Sequence, residues 1–241
     1  LALENQNAGA DGYNVAIGYN AGNDITDGIR NVIIGGTAGD QATTAADSVI
    51  IGYNAVGNAV TTGGRNTVIG KDAGQELIGG NNNVIIGADA GQASSTAFQN
   101  VFIGEDAGFT NVGGDTNVFV GSDSGYLSTG DRNVYIGKNS GESMGAGSKN
   151  TILGSYNGNQ NGLDIRTSGN QIVLSDGDGA VRHFIDHTGN HGFSSIDATT
   201  QNGSVGRSYS YEAASNNLVN IYHLNTSGMN AIFEARRNGR T

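Results

Sequence analysis

The strongest constraint on this chain is a motif that returns every 16 to 18 residues. Asn14-Val-Ala-Ile-Gly18 recurs as Asn31-Val-Ile-Ile-Gly35, Ser48-Val-Ile-Ile-Gly52, Asn66-Thr-Val-Ile-Gly70 and Asn83-Val-Ile-Ile-Gly87. It continues as Asn100-Val-Phe-Ile-Gly104, Asn117-Val-Phe-Val-Gly121, Asn133-Val-Tyr-Ile-Gly137 and Asn150-Thr-Ile-Leu-Gly154. A second Gly follows four residues later in every copy but the third, which has Val56 there and Gly57 one place on. Repetition at a fixed short period implies a stacked architecture in which each unit buries its surface against its neighbours.

Each unit holds a β-branched or aromatic run, a Gly, a small turn and a variable polar stretch. No 3.6-residue period is present, and Gly at this density opposes helix. Val, Ile, Phe, Tyr and Thr suit a strand, and Asn and Gly suit its ends. One short strand per unit predicts an all-β solenoid, a parallel β-roll of about nine 17-residue coils over residues 14–158. At about 4.8 Å per rung the roll would stand on the order of 43 Å tall. Residues 1–13 form an N-terminal flank, 159–170 a linker, and 171–241 a C-terminal antiparallel β domain.

Alternation divides each run into two faces. The first and third residues, such as Val84 and Ile86, share one face, and the second lies on the other. Both faces are apolar, yet a 17-residue coil has room for one interior. The second-position residues Ile33, Ile50, Val68, Ile85, Phe102, Phe119, Tyr135 and Ile152 are therefore expected to form an apolar stripe between subunits of a closed homo-oligomer.

Composition narrows the classes. Gly numbers 41 of 241 residues, while Pro, Cys and Trp are absent. Without Cys there is no disulfide framework, and a zinc site is disfavoured. The net charge of −10 argues against nucleic acid as a partner. No apolar run approaches the length of a membrane helix. There is no initiating Met or signal peptide, so the chain reads as an internal fragment. Charged residues make up only 14%, too few for charge-driven disorder.

The pattern N-x-x-x-G-x-x-A-G, as in Asn83 to Gly91, resembles the head repeat of YadA-type trimeric autotransporter adhesins and, more closely, related repeats of phage tail fibres. The resemblance covers residues 14 to about 158. It implies a left-handed parallel β-roll with three chains per head, hence a homotrimer. The period here is longer than is usual in the adhesins, and neither neck nor stalk motifs are present. After the repeat, Gln171 to Ser175, Val181 to Asp186, Val205 to Glu212, Leu218 to Leu224 and Met229 to Arg236 read as strands. Asp176-Gly-Asp-Gly179 and Thr188-Gly-Asn190 read as turns. Arg236 to Arg240 resembles the segment upstream of the endosialidase-type intramolecular chaperone of many phage fibres, which implies a processing boundary near the end of the chain.

Each cluster of polar residues has a plain structural role to set beside a functional one. The residue six after the repeat Asn is polar in most copies: Asn20, Thr37, Asn54, Asp72, Asp89, Asp106, Asp123 and Asn139. Asx-turn capping of backbone N–H groups explains it better than a cation ladder. The repeat Asn itself predicts a ladder of side chains bonded to one another. Asp176 and Asp178 read as turn residues in preference to a calcium site. His183, His187 and His191 are spaced by four, but a turn interrupts them. No nucleophile motif or phosphate loop is present, so no enzymatic activity, cofactor or metal is expected.

The sequence thus predicts a structural and host-receptor-binding part of a phage tail fibre, carried on the virion in the extracellular medium. The alternatives are the head of a bacterial trimeric adhesin and a polysaccharide depolymerase spike. The expected partners are two further copies of the chain and a host cell-surface polysaccharide or protein, with no nucleic acid and no membrane insertion. Tyr209, Tyr211, Tyr222, His223, Arg236 and Arg237 are the receptor-binding candidates, because Tyr and Arg dominate binding hot spots.

Overall fold

The computed structural model describes residues 1–7, 11–58 and 60–194, and the strand segments Gly206–Tyr209, Asn220–Ile221 and Phe233–Glu234. The chain is all-β. Nine three-residue strands, β1 (Val15–Ile17), β2 (Val32–Ile34), β3 (Val49–Ile51), β4 (Thr67–Ile69), β5 (Val84–Ile86), β6 (Val101–Ile103), β7 (Val118–Val120), β8 (Val134–Ile136) and β9 (Thr151–Leu153), stack in sequence order. Every neighbouring pair is parallel and without slip, so like residues lie over like: Ile85 on Phe102, Phe102 on Phe119, Phe119 on Tyr135. This is a β-solenoid.

Two columns make the stacking obligatory. The Gly that closes each strand adopts φ between 106° and 147°, and a Cβ there would lie 2.1 to 2.5 Å from a carbonyl oxygen of the next rung. Only Gly lets the backbones approach this closely. The repeat Asn forms the second column. Asn100 Oδ1 accepts the backbone N–H of Asn117 at 2.8 Å, while its Nδ2 donates to Gly114 O at 2.9 Å. Asn14, Asn31, Asn66, Asn83, Asn117 and Asn133 make the same pair of bonds. The ladder expected between side chains therefore runs mainly from side chain to main chain. Each Asn satisfies a buried N–H of the next rung and closes its own coil, which a side-chain stack alone would leave undone.

The interior is one side chain wide. The second residue of each strand fills it: Ile33, Val68, Ile85, Phe102, Phe119, Tyr135 and Ile152 are fully buried, and Ile50 nearly so. Phe102, Phe119 and Tyr135 stack with centroids 5.0 and 4.9 Å apart and planes within 12° and 4°. The opposite wall is small, with Ala21, Ala38, Ala73, Ala90 and Ala107 buried in one column. A third buried column, eleven residues after the repeat Asn, holds Ile25, Leu77 and Met144, and the shorter Asn111 and Ser128 in the coils that carry Phe102 and Phe119. These eight residues are thus the core of their own coil and not the inter-subunit stripe the sequence suggested. The Gly after each strand and the left-handed turn beyond it fold the chain back over the second residue, so the first and third point outward.

The third coil replaces the second Gly by Val56, which is buried and keeps the left-handed φ of 52°. At Gly39, Gly74 and Gly91 a Cβ would meet the second-position residues of its own rung and the next one. For Val56 one of these is Val68, smaller than the usual Ile, and this gives a side chain room.

The ends depart from the repeat. Residues 1–7 bond to the first coil through Leu3 N–H to Ala21 O, Asn5 N–H to Asn23 O and Asn7 N–H to Thr26 O. Residues 159–170 contain a small antiparallel pair, β10 (Asn159–Gln160) and β11 (Leu163–Asp164), rather than a bare linker. Then β12 (Ile172–Ser175) pairs parallel with β9 as a tenth rung, with Gln171 N–H donating to Asn150 Oδ1 at 2.9 Å in place of a repeat Asn. On its other side β12 pairs antiparallel with β13 (Val181–Ile185), followed by β14 (His191–Ser194) and β15 (Gly206–Tyr209). One 13-stranded sheet therefore passes from solenoid to hairpins without a break at the expected boundary. Two short strands, β16 (Asn220–Ile221) and β17 (Phe233–Glu234), pair antiparallel.

Candidate functional site

The outward face of the sheet carries two apolar columns. The first-position column reads Val15, Val32, Val49, Thr67, Val84, Val101, Val118, Val134, Thr151, Ile172, and the third-position column runs beside it from Ile17 to Leu174. Neither contains a charge. Ile17 is 59% exposed, and Ile103, Ile136, Leu153, Ile172 and Leu174 are also exposed. Ten rungs at about 4.8 Å make a stripe on the order of 45 Å long. Scattered apolar residues are ordinary on a surface, whereas a continuous uncharged stripe of this length is not.

The face continues past the solenoid. Strand register places His183 beside Leu174, Ile185 beside Ile172, and His191 beside Ile185, so all share the outward side. His183 Nε2 and His191 Nδ1 are 3.0 Å apart, one ring donating and the other accepting, with the rings stacked at 5.2 Å. Burial and the neighbouring His191 hold His183 below the usual histidine range. His187 stands exposed in the turn, so the three histidines do not converge. No group of three or more metal-ligating side chains occurs among the described residues.

The polar column six residues after the repeat Asn has a backbone cause. Asn20, Thr37, Asn54, Asp72, Asp89, Asp106, Asp123 and Asn139 all have φ between 53° and 57°. Asn and Asp tolerate this left-handed region better than other residues with a side chain. Their described side-chain bonds run chiefly to other side chains: Asn54 Nδ2 and Gln75 Nε2 donate to Asp72, Gln92 Nε2 donates to Asp89, and Asn139 Nδ2 donates to Glu142. The expected Asx capping is thus replaced by conformational preference. Burial, then Asp123, Asp89 and Glu105, push the Asp106 carboxyl above its usual range.

Two later turns do use Asx capping. Asp176 Oδ1 accepts the N–H groups of Asp178 and Ala180 at 3.1 and 2.9 Å, and Arg182 pairs with its other oxygen. Asp186 accepts from the Thr188 hydroxyl and from the N–H groups of Thr188 and Asn190. Burial opposes the Asp186 charge, but these bonds outweigh it and hold the carboxyl far below its usual range.

Beside the first of these turns lies a cleft of about 290 Å³, lined by Lys138, Asn139, Glu142, Ser155, Asn157, Gln160, Gly177 and Asp178. It forms where the period breaks: from Asn150 to Gln171 the chain takes 21 residues, and the β10–β11 pair interrupts the regular corner. Sequence reasoning had no signal for it, because its residues come from two coils and a turn.

Of the expected receptor-binding residues, Tyr209 lies on β15 in register with His191. Tyr211, Tyr222, His223, Arg236 and Arg237 lie outside the described residues. No helix among the described residues is long and apolar enough to cross a membrane. Comparison with known protein families, with curated proteins and with solved structures finds no match to this chain.

Proposed function

We propose that this chain is a structural and adhesive segment of an extracellular fibre, most specifically the distal part of a phage tail fibre, assembled as a homotrimer. The observation that carries the reading is the uncharged outward face of a solenoid whose interior is already full. Such a face gains by burial against like faces; at about 25 cal/mol per Å² of apolar surface removed from water, even a few hundred Å² contributes several kcal/mol per chain. A three-fold arrangement lets each chain present the same stripe to its neighbours and closes the assembly. The solenoid then acts as a rigid spacer, and the C-terminal strands act as the tip that meets the host. The tip role rests on its cluster of Tyr and Arg. The head of a bacterial trimeric adhesin is the second reading, since the same repeat and stripe support it equally.

Assembly is tested by native mass measurement, where a monomer at micromolar concentration defeats the reading. Receptor contact is tested by deleting residues 200–241 and checking that the product has the same oligomeric state as the full chain. Cell binding at full strength by that product removes the tip from the proposal.

A further inference from the structure

We infer that the cleft between the last solenoid corners and the β12–β13 turn is a binding site for a neutral saccharide, one or two hexose units in size. The inference rests on the adhesive reading for its biological meaning and names a ligand class which that reading leaves open.

The cleft is held open by bonds made within its own lining, among them Asn139 Nδ2 to Glu142 Oε2 at 2.9 Å. Asn157 N–H donates to Gln160 Oε1 at 2.8 Å, and Asn159 N–H to Asn157 Oδ1 at 2.9 Å. Tyr156 Oη donates to Leu163 O at 2.7 Å, anchoring the corner from inside, and Tyr156 N–H donates to Ser175 Oγ at 3.0 Å. The Asp176 carboxylate fixes the turn that carries Gly177 and Asp178. Two bonded segments, 155–160 and the turn at 177–178, therefore face the solenoid corner that carries Lys138, Asn139 and Glu142, and binding would cost little ordering.

The lining selects the ligand by hydrogen-bonding capacity and charge. The Asn139 amide is already bonded to Glu142, and the Asn157 and Gln160 side-chain oxygens each accept a backbone N–H, so the lining offers a ligand chiefly the Asn157 and Gln160 NH2 groups and the Lys138 ammonium as donors, the Asp178 carboxylate as acceptor, and the Ser155 hydroxyl as both. A ligand dense in hydroxyls, each both donor and acceptor, satisfies such a mixture, whereas an apolar ligand would strand it. One ammonium against two carboxylates leaves a net negative site, which disfavours phosphates, uronates and sialic acids. The volume of about 290 Å³ lies near the lower end of small-molecule sites. No aromatic ring lines the cleft, so affinity is expected near the millimolar range, with repetition over several chains supplying avidity.

Gly177 provides a clean block. A Cβ there meets no atom within 4 Å, and its φ is not left-handed. Gly177→Phe should fill the mouth and leave the fold intact. The test is saturation-transfer NMR on the full chain with methyl glycosides of glucose, galactose, mannose and N-acetylglucosamine, and with glucuronate and sialic acid as anionic controls. At least one neutral sugar is expected to bind more tightly than either acid. Asp178→Asn should weaken it about tenfold, and Gly177→Phe should abolish it with an unchanged melting temperature. The inference is overturned if no neutral sugar binds at 100 mM, if an acid binds better, or if both variants bind as the parent does. Native mass on the same samples separates the two readings: sugar binding by a monomer defeats only the assembly, and an intact trimer without sugar binding defeats only the cleft.

Discussion

Asn100 shows how much one residue of the repeat carries. It is fully buried, accepts the N–H of the next rung and donates to its own coil. Asn100→Ala would leave a buried N–H and a buried carbonyl unpaired, at about 1–3 kcal/mol each. Asn100→Ser should cost less, because Ser48 already fills the slot in the third coil with its Oγ accepting Asn66 N–H at 3.2 Å. Urea melts should rank Ser above Ala. The left-handed slot gives a second residue-scale prediction. Asp106 is pushed toward its protonated form, so its contribution to stability falls as pH rises through its folded value. At neutral pH, Asp106→Asn should leave stability unchanged or raise it by a few tenths of a kcal/mol, because surface charges are screened. Asn20, Asn54 and Asn139 already occupy that slot at the same φ. A drop of a full kcal/mol would mean that the carboxylate has another partner.

Among the elements, the β13–β14 hairpin is the pH-sensitive one. Its shared hydrogen bond needs one neutral ring as acceptor, and His183 is held below its ordinary value of 6.5 chiefly by burial. A lowered histidine pKa favours the neutral form in the folded state. The stability it contributes is full above the ordinary value and is lost as pH falls through the folded one. Hydrogen exchange on β13 and β14 should therefore accelerate below about pH 6.5, while β5 to β8 stay protected. His183→Gln should flatten the response. The opposing turn keeps its charge in this window, because Asp186 titrates far lower. Equal loosening of hairpin and solenoid between pH 7 and 5.5 would assign the effect to something other than the histidine pair.

For the whole molecule, the two sides of one strand make opposite predictions. Ile103 faces outward and Phe102 inward, one residue apart. Ile103→Asp should leave the solenoid folded by circular dichroism yet dissociate the proposed oligomer, since it would put a charge into the apolar contact proposed between chains. Phe102→Asp should unfold the coil itself, because the charge would be sealed between Ile85 and Phe119. If Ile103→Asp keeps the oligomer intact, the outward face is not the interface.

What the sequence by itself determined was the repeat and its chemistry. Period, strand residues, the Gly column and the Asn column are all legible, because each rung must reproduce one backbone path and only certain residue types fit it. The inside of the coil was also written there, in a form easily misread: Thr67 and Thr151 occur in the flanking columns and never in the central one, as a face meeting solvent would allow. Tertiary structure decided what no residue type announces. Arg30, Arg65, Gln99, Thr116, Arg132 and Lys149 adopt φ of 57° to 62°, a conformation none of them prefers, because each must turn its N–H back to the preceding rung. The strain, on the order of 1–2 kcal/mol per residue, is offset by a bond that exists only when the rungs are stacked. The pairing of His183 with His191 needs the register of the β13–β14 hairpin, and the cleft beside Asp178 joins residues from 138 to 178 that meet only after the last coil has closed.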